Sequence, residues 1–186
     1  MRYFLAFSCM FFLWACGNDI REIKKVTRST NVKVETATDV VILYSDSAVV
    51  KVRITSPTLK RYTELKETYD EFPDGLIVEF LDEKQRVKSW LEADFAIRKD
   101  NDKKIYIEKN VVLYNKRDDK LMTEELIWDE AAEEIYTNKF VKITQPSVGD
   151  TSFGNGFKAD QEFTRFEIKG SFSGIKNAGN LLEDIK

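Results

Sequence analysis

The sequence predicts an all-β domain of antiparallel strands stacked as a solenoid-like sheet, and three observations carry that expectation. Short runs alternate apolar and polar residues: Val50-Lys51-Val52-Arg53-Ile54, Leu76-Ile77-Val78-Glu79-Phe80, Ile105-Tyr106-Ile107-Glu108 and Phe166-Glu167-Ile168-Lys169. Successive side chains of a strand leave opposite faces, so a period of two marks a strand with one face buried. Turn-forming clusters separate the runs: Phe72-Pro73-Asp74-Gly75, Arg98-Lys99-Asp100-Asn101-Asp102, Asn115-Lys116-Arg117-Asp118-Asp119 and Gly149-Asp150-Thr151-Ser152. Finally, a unit of roughly thirty residues recurs, the signature of modules that bury their faces by stacking on one another.

In chain order, the first element is an apolar stretch from Tyr3 to Trp14, preceded by Arg2 and ending in Leu13-Trp14-Ala15-Cys16. It is shorter than the roughly 20 residues a membrane-spanning helix needs. It resembles a bacterial lipoprotein signal with a lipobox, residues 1–15 being removed to leave a lipid on Cys16. Trp14 is bulkier than that pattern prefers. Residues 16–38, polar and lysine-rich with weak periodicity, are read as the lipidated N-terminus and a flexible tether. Residues 39–174 carry the strand signals and form the folded domain. Within it Thr63 to Glu71 holds at most a helical turn and is read as a loop. Asn180 to Ile185 is read the same way, as the frayed end of a tail over residues 175–186.

Gly154-Asn155-Gly156 precedes the strand-like Phe157-Lys158-Ala159 rather than a helix, and no Lys-Ser or Lys-Thr follows in frame. It reads as a turn needing positive φ, not as a phosphate loop.

The repeat is seen by aligning Leu91-Glu92-Ala93-Asp94-Phe95-Ala96 with Leu121-Met122-Thr123-Glu124-Glu125-Leu126. Both give an apolar residue, a spacer, a small residue, an acid, a spacer and an apolar residue. Ile54 to Leu59 and Phe157 to Glu162 meet the frame loosely. The register persists downstream. Ile105-Tyr106 stands at the same offset from Ala93 as Ile135-Tyr136 from Thr123, and Val111 to Leu113 matches Val141 to Ile143. Each unit is expected to run as a strand into a small residue, a polar turn and another strand.

Composition narrows the chemistry. Removing the signal leaves roughly 170 residues, enough for one domain with a real core. Lys and Arg number 29 against 32 Asp and Glu, interspersed along the chain, so no basic stripe points to nucleic acid. The chain has no histidine, which removes the commonest general base and the commonest transition-metal ligand. Close acidic pairs such as Asp118-Asp119 and Glu124-Glu125 read as solvated turn or strand faces rather than a catalytic dyad, and no cofactor or metal site is expected. Cys9 lies in the signal, so the exported chain has no thiol pair to oxidise and relies on packing.

These segments together resemble a known family. The series Tyr44-Ser45-Asp46-Ser47, Ser56-Pro57-Thr58-Leu59, Phe72-Pro73-Asp74-Gly75-Leu76, Ala93-Asp94-Phe95-Ala96, Asn110-Val111-Val112-Leu113, Leu121 to Asp129 and Gly154 to Asp160 is similar in order and spacing to LptC, the periplasmic component of lipopolysaccharide export. The similarity spans about Val40 to Phe172. LptA and the periplasmic part of LptD share the repeat, and a short single domain behind a membrane anchor favours LptC. The better-known LptC proteins carry an uncleaved transmembrane helix, so a regulatory role for that helix does not transfer to a lipobox.

The resemblance implies a twisted open β-jellyroll whose sheets form a V-shaped trough, with no catalysis. Lipopolysaccharide would pass through it by its acyl chains from the inner-membrane ABC transporter subunits to an LptA-like bridge protein. It implies a periplasmic domain, lipid-anchored at a membrane, the inner one being favoured, although Gly17 is not the aspartate that retains some lipoproteins there. An acyl chain needs a continuous apolar wall, since each buried methylene contributes roughly 0.8 kcal/mol without a directional partner. Alternation supplies lipid-binding candidates on one side: Val52, Ile54, Val78, Phe80, Leu91, Ala93, Phe95, Val111, Leu113, Phe157 and Ala159. The C-terminal strand candidate, Glu162 to Phe172, has no covering element after it, so Phe163, Phe166 and Ile168 are expected at an edge that pairs with the bridge protein. The alternative is a cell-envelope lipoprotein with a structural or adhesive role and a dry core.

Overall fold

A computed structural model describes residues 33–63, 67–170 and 172–175. The signal, Cys16, most of the segment read as a tether, and residues 176–186 lie outside the described residues. The described part is a single antiparallel sheet system with no helix: β1 (Val34–Asp46), β2 (Val49–Tyr62), β3 (Tyr69–Phe72), β4 (Leu76–Leu81), β5 (Val87–Ala93), β6 (Phe95–Lys99), β7 (Lys104–Asn115), β8 (Lys120–Asp129), β9 (Glu134–Gln145), β10 (Asp150–Asp160), β11 (Phe166–Ile168) and β12 (Phe172–Ile175). The twelve strands pair in chain order once three pairs are recognised as broken passes of one strand. These are β3 with β4, β5 with β6, and β11 with β12; β7 bonds both β5 and β6, β2 both β3 and β4, and β10 both β11 and β12.

The breaks lie on one line, along which the whole meander folds into two wings. Each strand bends where it crosses that line: at Asp39 in β1, Ser56-Pro57 in β2, Asp74-Gly75, Asp94, Lys109-Asn110 in β7, Thr123 to Glu125 in β8, Asn138 to Phe140 in β9, Asn155-Gly156 in β10, and Lys169-Gly170. Asp39, Lys109 and Asn110 take positive φ there, as do Gly75, Gly156 and Gly170. Register shifts interrupt the ladders between Glu108 and Val111 and between Thr123 and Ile127. Such bulges are how a strand turns from one packed sheet into the next.

Bending frees backbone groups that must find partners. Buried small side chains supply several. Ser56 Oγ donates to Gly75 O at 2.7 Å, and Thr123 Oγ1 to Phe140 O at 2.8 Å. Thr137 Oγ1 accepts from Lys139 N at 3.0 Å, and Asp94 N reaches Lys109 O at 3.0 Å. The small residue of the repeat, Ser56, Ala93 or Thr123, is therefore a corner residue. It precedes a bend within one pass rather than a chain-reversing turn. The loose match at Phe157 fails here, since Ala159 lies beyond the Asn155-Gly156 corner. Repeat units are hairpins: Leu91 and Leu121 both pair with Leu113, and Ile105 and Ile135 both pair with Trp128.

Several expectations need correction. The sheet begins at Val34, inside the segment read as tether. Val34 to Asp39 are all exposed, and Val34 to Thr38 pair through the backbone with β2, so no apolar alternation betrays them. Tyr69–Phe72 is a strand that overlaps the stretch read as a loop and the start of a turn cluster, because its inward residues are Asp70 and Phe72 and the charge disguises the pattern. Gly154 and Gly156 lie inside β10, and of the two only Gly156 has positive φ. The last pass breaks at Gly170 instead of running from Glu162 to Phe172.

Candidate functional site

The two wings face each other through apolar rows that run across the strands. On the first wing Ile42, Ile54, Val78, Leu91, Leu113, Leu121 and Ile143 are successive ladder partners, all on the inner face. Nearer its tip run Tyr44, Val52, Phe80, Ser89 and Asn115. On the second wing the partners are Phe72, Ala96, Ile107 and Leu126 in one row, and Ile105, Trp128, Ile135, Ala159 and Phe166 in another.

Ten of the eleven residues expected to form the apolar wall are buried and belong to this core: Val52, Ile54, Val78, Phe80, Leu91, Ala93, Val111, Leu113, Phe157 and Ala159. They are divided between opposed wings rather than gathered on one side: eight lie on the first, and Phe157 and Ala159 on the second. Phe95 is the exception. The bend at Asp94 shifts the phase of alternation, so Ala96 points inward and Phe95 lies half-buried on the outer face, with Lys109 Nζ 4.6 Å from its ring centroid. Sequence reasoning missed most of the second wing, including Phe72, Ile107, Leu126 and Trp128. The repeat register at Ile105 and Ile135 was the signal that could have found it.

At the mouth, where the wing tips meet, no backbone ladder joins the wings among the described residues; side chains do. Phe80 stands edge to face on Trp128 with centroids 5.1 Å apart, and Tyr44 meets the same indole at 6.2 Å. Beside them the apolar interior gives way to a charged network. Arg98 donates to both carboxylate oxygens of Glu130, at 2.7 and 3.1 Å, also pairs with Asp100, and lies 5.7 Å from the Tyr44 ring centroid. Arg61 holds buried Asp70 in a two-pronged contact at 2.7 and 2.8 Å. The hydrogen bond to Glu130 raises the Arg98 pKa further above its usual value. Burial, with Glu130 adding, pushes the Tyr44 hydroxyl up to about 12.

The other end of the mouth is closed by the loop between β10 and β11. Ser89 Oγ donates to Gln161 O at 2.9 Å and Asn115 Nδ2 to Phe163 O at 3.1 Å, bonds that reach from the first wing to a loop of the second. Phe163, expected at a partner edge, is 1% exposed and packs on Phe157 and Phe166. Its φ of 51° turns the ring inward, and Asp160, accepting from Thr164 N and Arg165 N, holds the turn. Phe166 and Ile168 lie on β11, which among the described residues pairs with β10 alone. Two buried polar atoms lack a partner among the described residues: Asp119 Oδ1 and Trp128 Nε1. The other Asp119 oxygen accepts from Asn115 and Arg117.

The arrangement offers an apolar interior, a side-chain mouth and, among the described residues, strand edges at β1 and at β11 and β12 that pair on one side. Among the described residues no three His, Cys, Asp or Glu side chains cluster as a metal ion needs. A family model described as "Lipopolysaccharide-assembly, LptC-related" matches residues 3–176. No curated protein matches the chain.

Proposed function

The chain belongs to the LptC-related family of lipopolysaccharide assembly, and from that membership we propose that its wings take the acyl chains of lipopolysaccharide between them and pass them from the inner-membrane ABC transporter to an LptA-like bridge protein. Membership makes it a component of lipopolysaccharide export in the periplasm, with lipopolysaccharide and the export machinery as partners. The observation that supports the finer reading is the pair of opposed apolar rows, which run strand to strand toward the end strands and, among the described residues, meet at the mouth without a backbone ladder. Parting such contacts costs no ladder hydrogen bonds, and each acyl methylene that replaces them contributes roughly 0.8 kcal/mol. A neighbouring module that adds to an edge strand continues the rows, so a chain could cross without meeting water. In the same reading Cys16 carries a diacylglyceryl group, whose two chains give stable anchoring to a membrane.

The close packing of the inner faces, with Ile54, Leu91, Leu113 and Leu121 fully buried, favours a second reading, a structural envelope lipoprotein with a dry core. Photocrosslinkers placed in living cells at Val78, Leu113 and Ile105 separate the two. Acyl-chain passage gives lipopolysaccharide adducts at these positions and none at outward Lys142. Adducts at none of the inward positions would leave the scaffold reading. Mass spectrometry of the N-terminus tests the anchor; an unmodified Cys16 removes it.

A further inference from the structure

We infer that Trp128 is the residue at which the trough recognises its lipid, its indole N–H donating to an oxygen at the head end of an acyl chain. The inference rests on the acyl-chain reading above and adds to it what part of the chain is read. Trp128 is the largest of the fully buried side chains, and its Nε1 has no acceptor among the described residues. A buried donor left unpaired is costly, and native cores seldom keep one without a use. The contacts the ring does make, with Phe80 and Tyr44, are ring contacts, and ring faces are weak acceptors.

Its position supports a ligand role. Trp128 lies on the second wing between Ile105 and Ile135, and both of its aromatic neighbours come from the first wing. It therefore stands where the wings must part. A hydrocarbon tail can slide along an apolar wall at any depth, because its contacts carry no direction. A single donor inside that wall fixes the depth, since the carbonyl oxygen at the head of the chain is the acceptor that can reach and satisfy it. Just beyond, the interior turns polar at Arg98, Glu130 and Asp70, where a head group would meet charge instead of hydrocarbon.

The test uses the full chain and two matched probes, maltose bearing a tetradecyl ether and maltose bearing a tetradecanoyl ester, which differ in the carbonyl. The unaltered protein should bind the ester roughly tenfold more tightly, the usual scale of one buried hydrogen bond. Trp128→Phe keeps a ring but removes the donor. It should bind the ether as before and lose the preference for the ester. A readout free of substitution is the indole N–H resonance of Trp128, which should shift and gain protection with the ester and not with the ether. Trp90, stacked on Tyr114, serves as the internal reference. A preference that survives in Trp128→Phe, or an indole resonance indifferent to the carbonyl, overturns the inference while leaving acyl-chain binding intact. Binding of neither probe to the unaltered protein removes both readings.

Discussion

A strand can bend without losing stability only if the carbonyl it frees finds a donor, and at the fold line single side chains decide this. Thr123 satisfies Phe140 O from a buried position, so Thr123→Val, which keeps the shape and removes the hydroxyl, should cost about 1–3 kcal/mol. Thr123→Ser should cost clearly less, and urea midpoints of the two variants check the order. Gly75 is constrained more tightly: at a φ of 84°, an added Cβ would stand 2.6 Å from Ala93 O, so alanine is excluded by both backbone and space. At the mouth Tyr44 carries a pH dependence. Its hydroxyl, pushed up to about 12 chiefly by burial, holds its proton more tightly than an unfolded tyrosine near 10. That contribution is complete below about pH 10 and is lost as the pH rises through about 12. Glu130, Asp70 and Asp100 repel the phenolate and Arg98 attracts it. Emission from Trp128, isolated by Trp14→Phe and Trp90→Phe, should change across that window, and Tyr44→Phe should flatten the change. Tyr114, also raised to about 12, hydrogen-bonds Glu92 away from the indole, so it should not reproduce the effect.

At the scale of elements, the hydrogen bonds flanking β11 state which of its groups are free. Lys169 N bonds Gly156 O, and Asp160 N bonds Arg165 O, so Phe166 and Ile168 sit at non-hydrogen-bonded positions opposite β10. Their own N–H and C=O groups point away from β10, to the open edge. Ile168→Pro should therefore weaken capture of an LptA-like partner well beyond Ile168→Ala while melting at nearly the same temperature. Glu167→Pro should do the reverse, because Glu167 is the β11 residue bonded to β10. Pull-down together with thermal melts distinguishes the two positions, and equal capture by Ile168→Pro and Ile168→Ala would place the bridge elsewhere. The loop from Gln161 to Arg165 is held across the mouth by Ser89 and Asn115. Replacing both with alanine should speed amide exchange over 161–165 and speed lipid uptake.

For the whole molecule, the proposed function requires the wings to separate, and among the described residues the contacts that oppose this at the mouth are ring contacts and side-chain hydrogen bonds rather than a backbone ladder. Lipopolysaccharide binding should therefore change Trp128 emission as Phe80 and Tyr44 withdraw, with Trp90 unmoved. An unchanged spectrum at saturating lipid would mean that the core stays shut.

The sequence by itself determined the class of fold, the antiparallel pairing of neighbours and most of the first wing's inner face. Alternation and turn clusters are local properties, and here every pass pairs with the next one in the chain. Repetition, too, was legible, as was the family to which the series of motifs belongs. What the small repeat residues do was not. Ser56, Ala93 and Thr123 look like spacers until the sheet folds along them and their neighbours' carbonyls need donors. The outward turn of Phe95 and the burial of Phe163 were likewise decided by tertiary structure. One bend at Asp94 shifts the phase of every later side chain on that pass, and one positive φ turns a ring from edge to core. The pairing of Trp128 with Phe80 across the mouth joins residues far apart in both sequence and ladder. No period in the chain encodes it; it exists only because the two wings close on each other and exclude water between them.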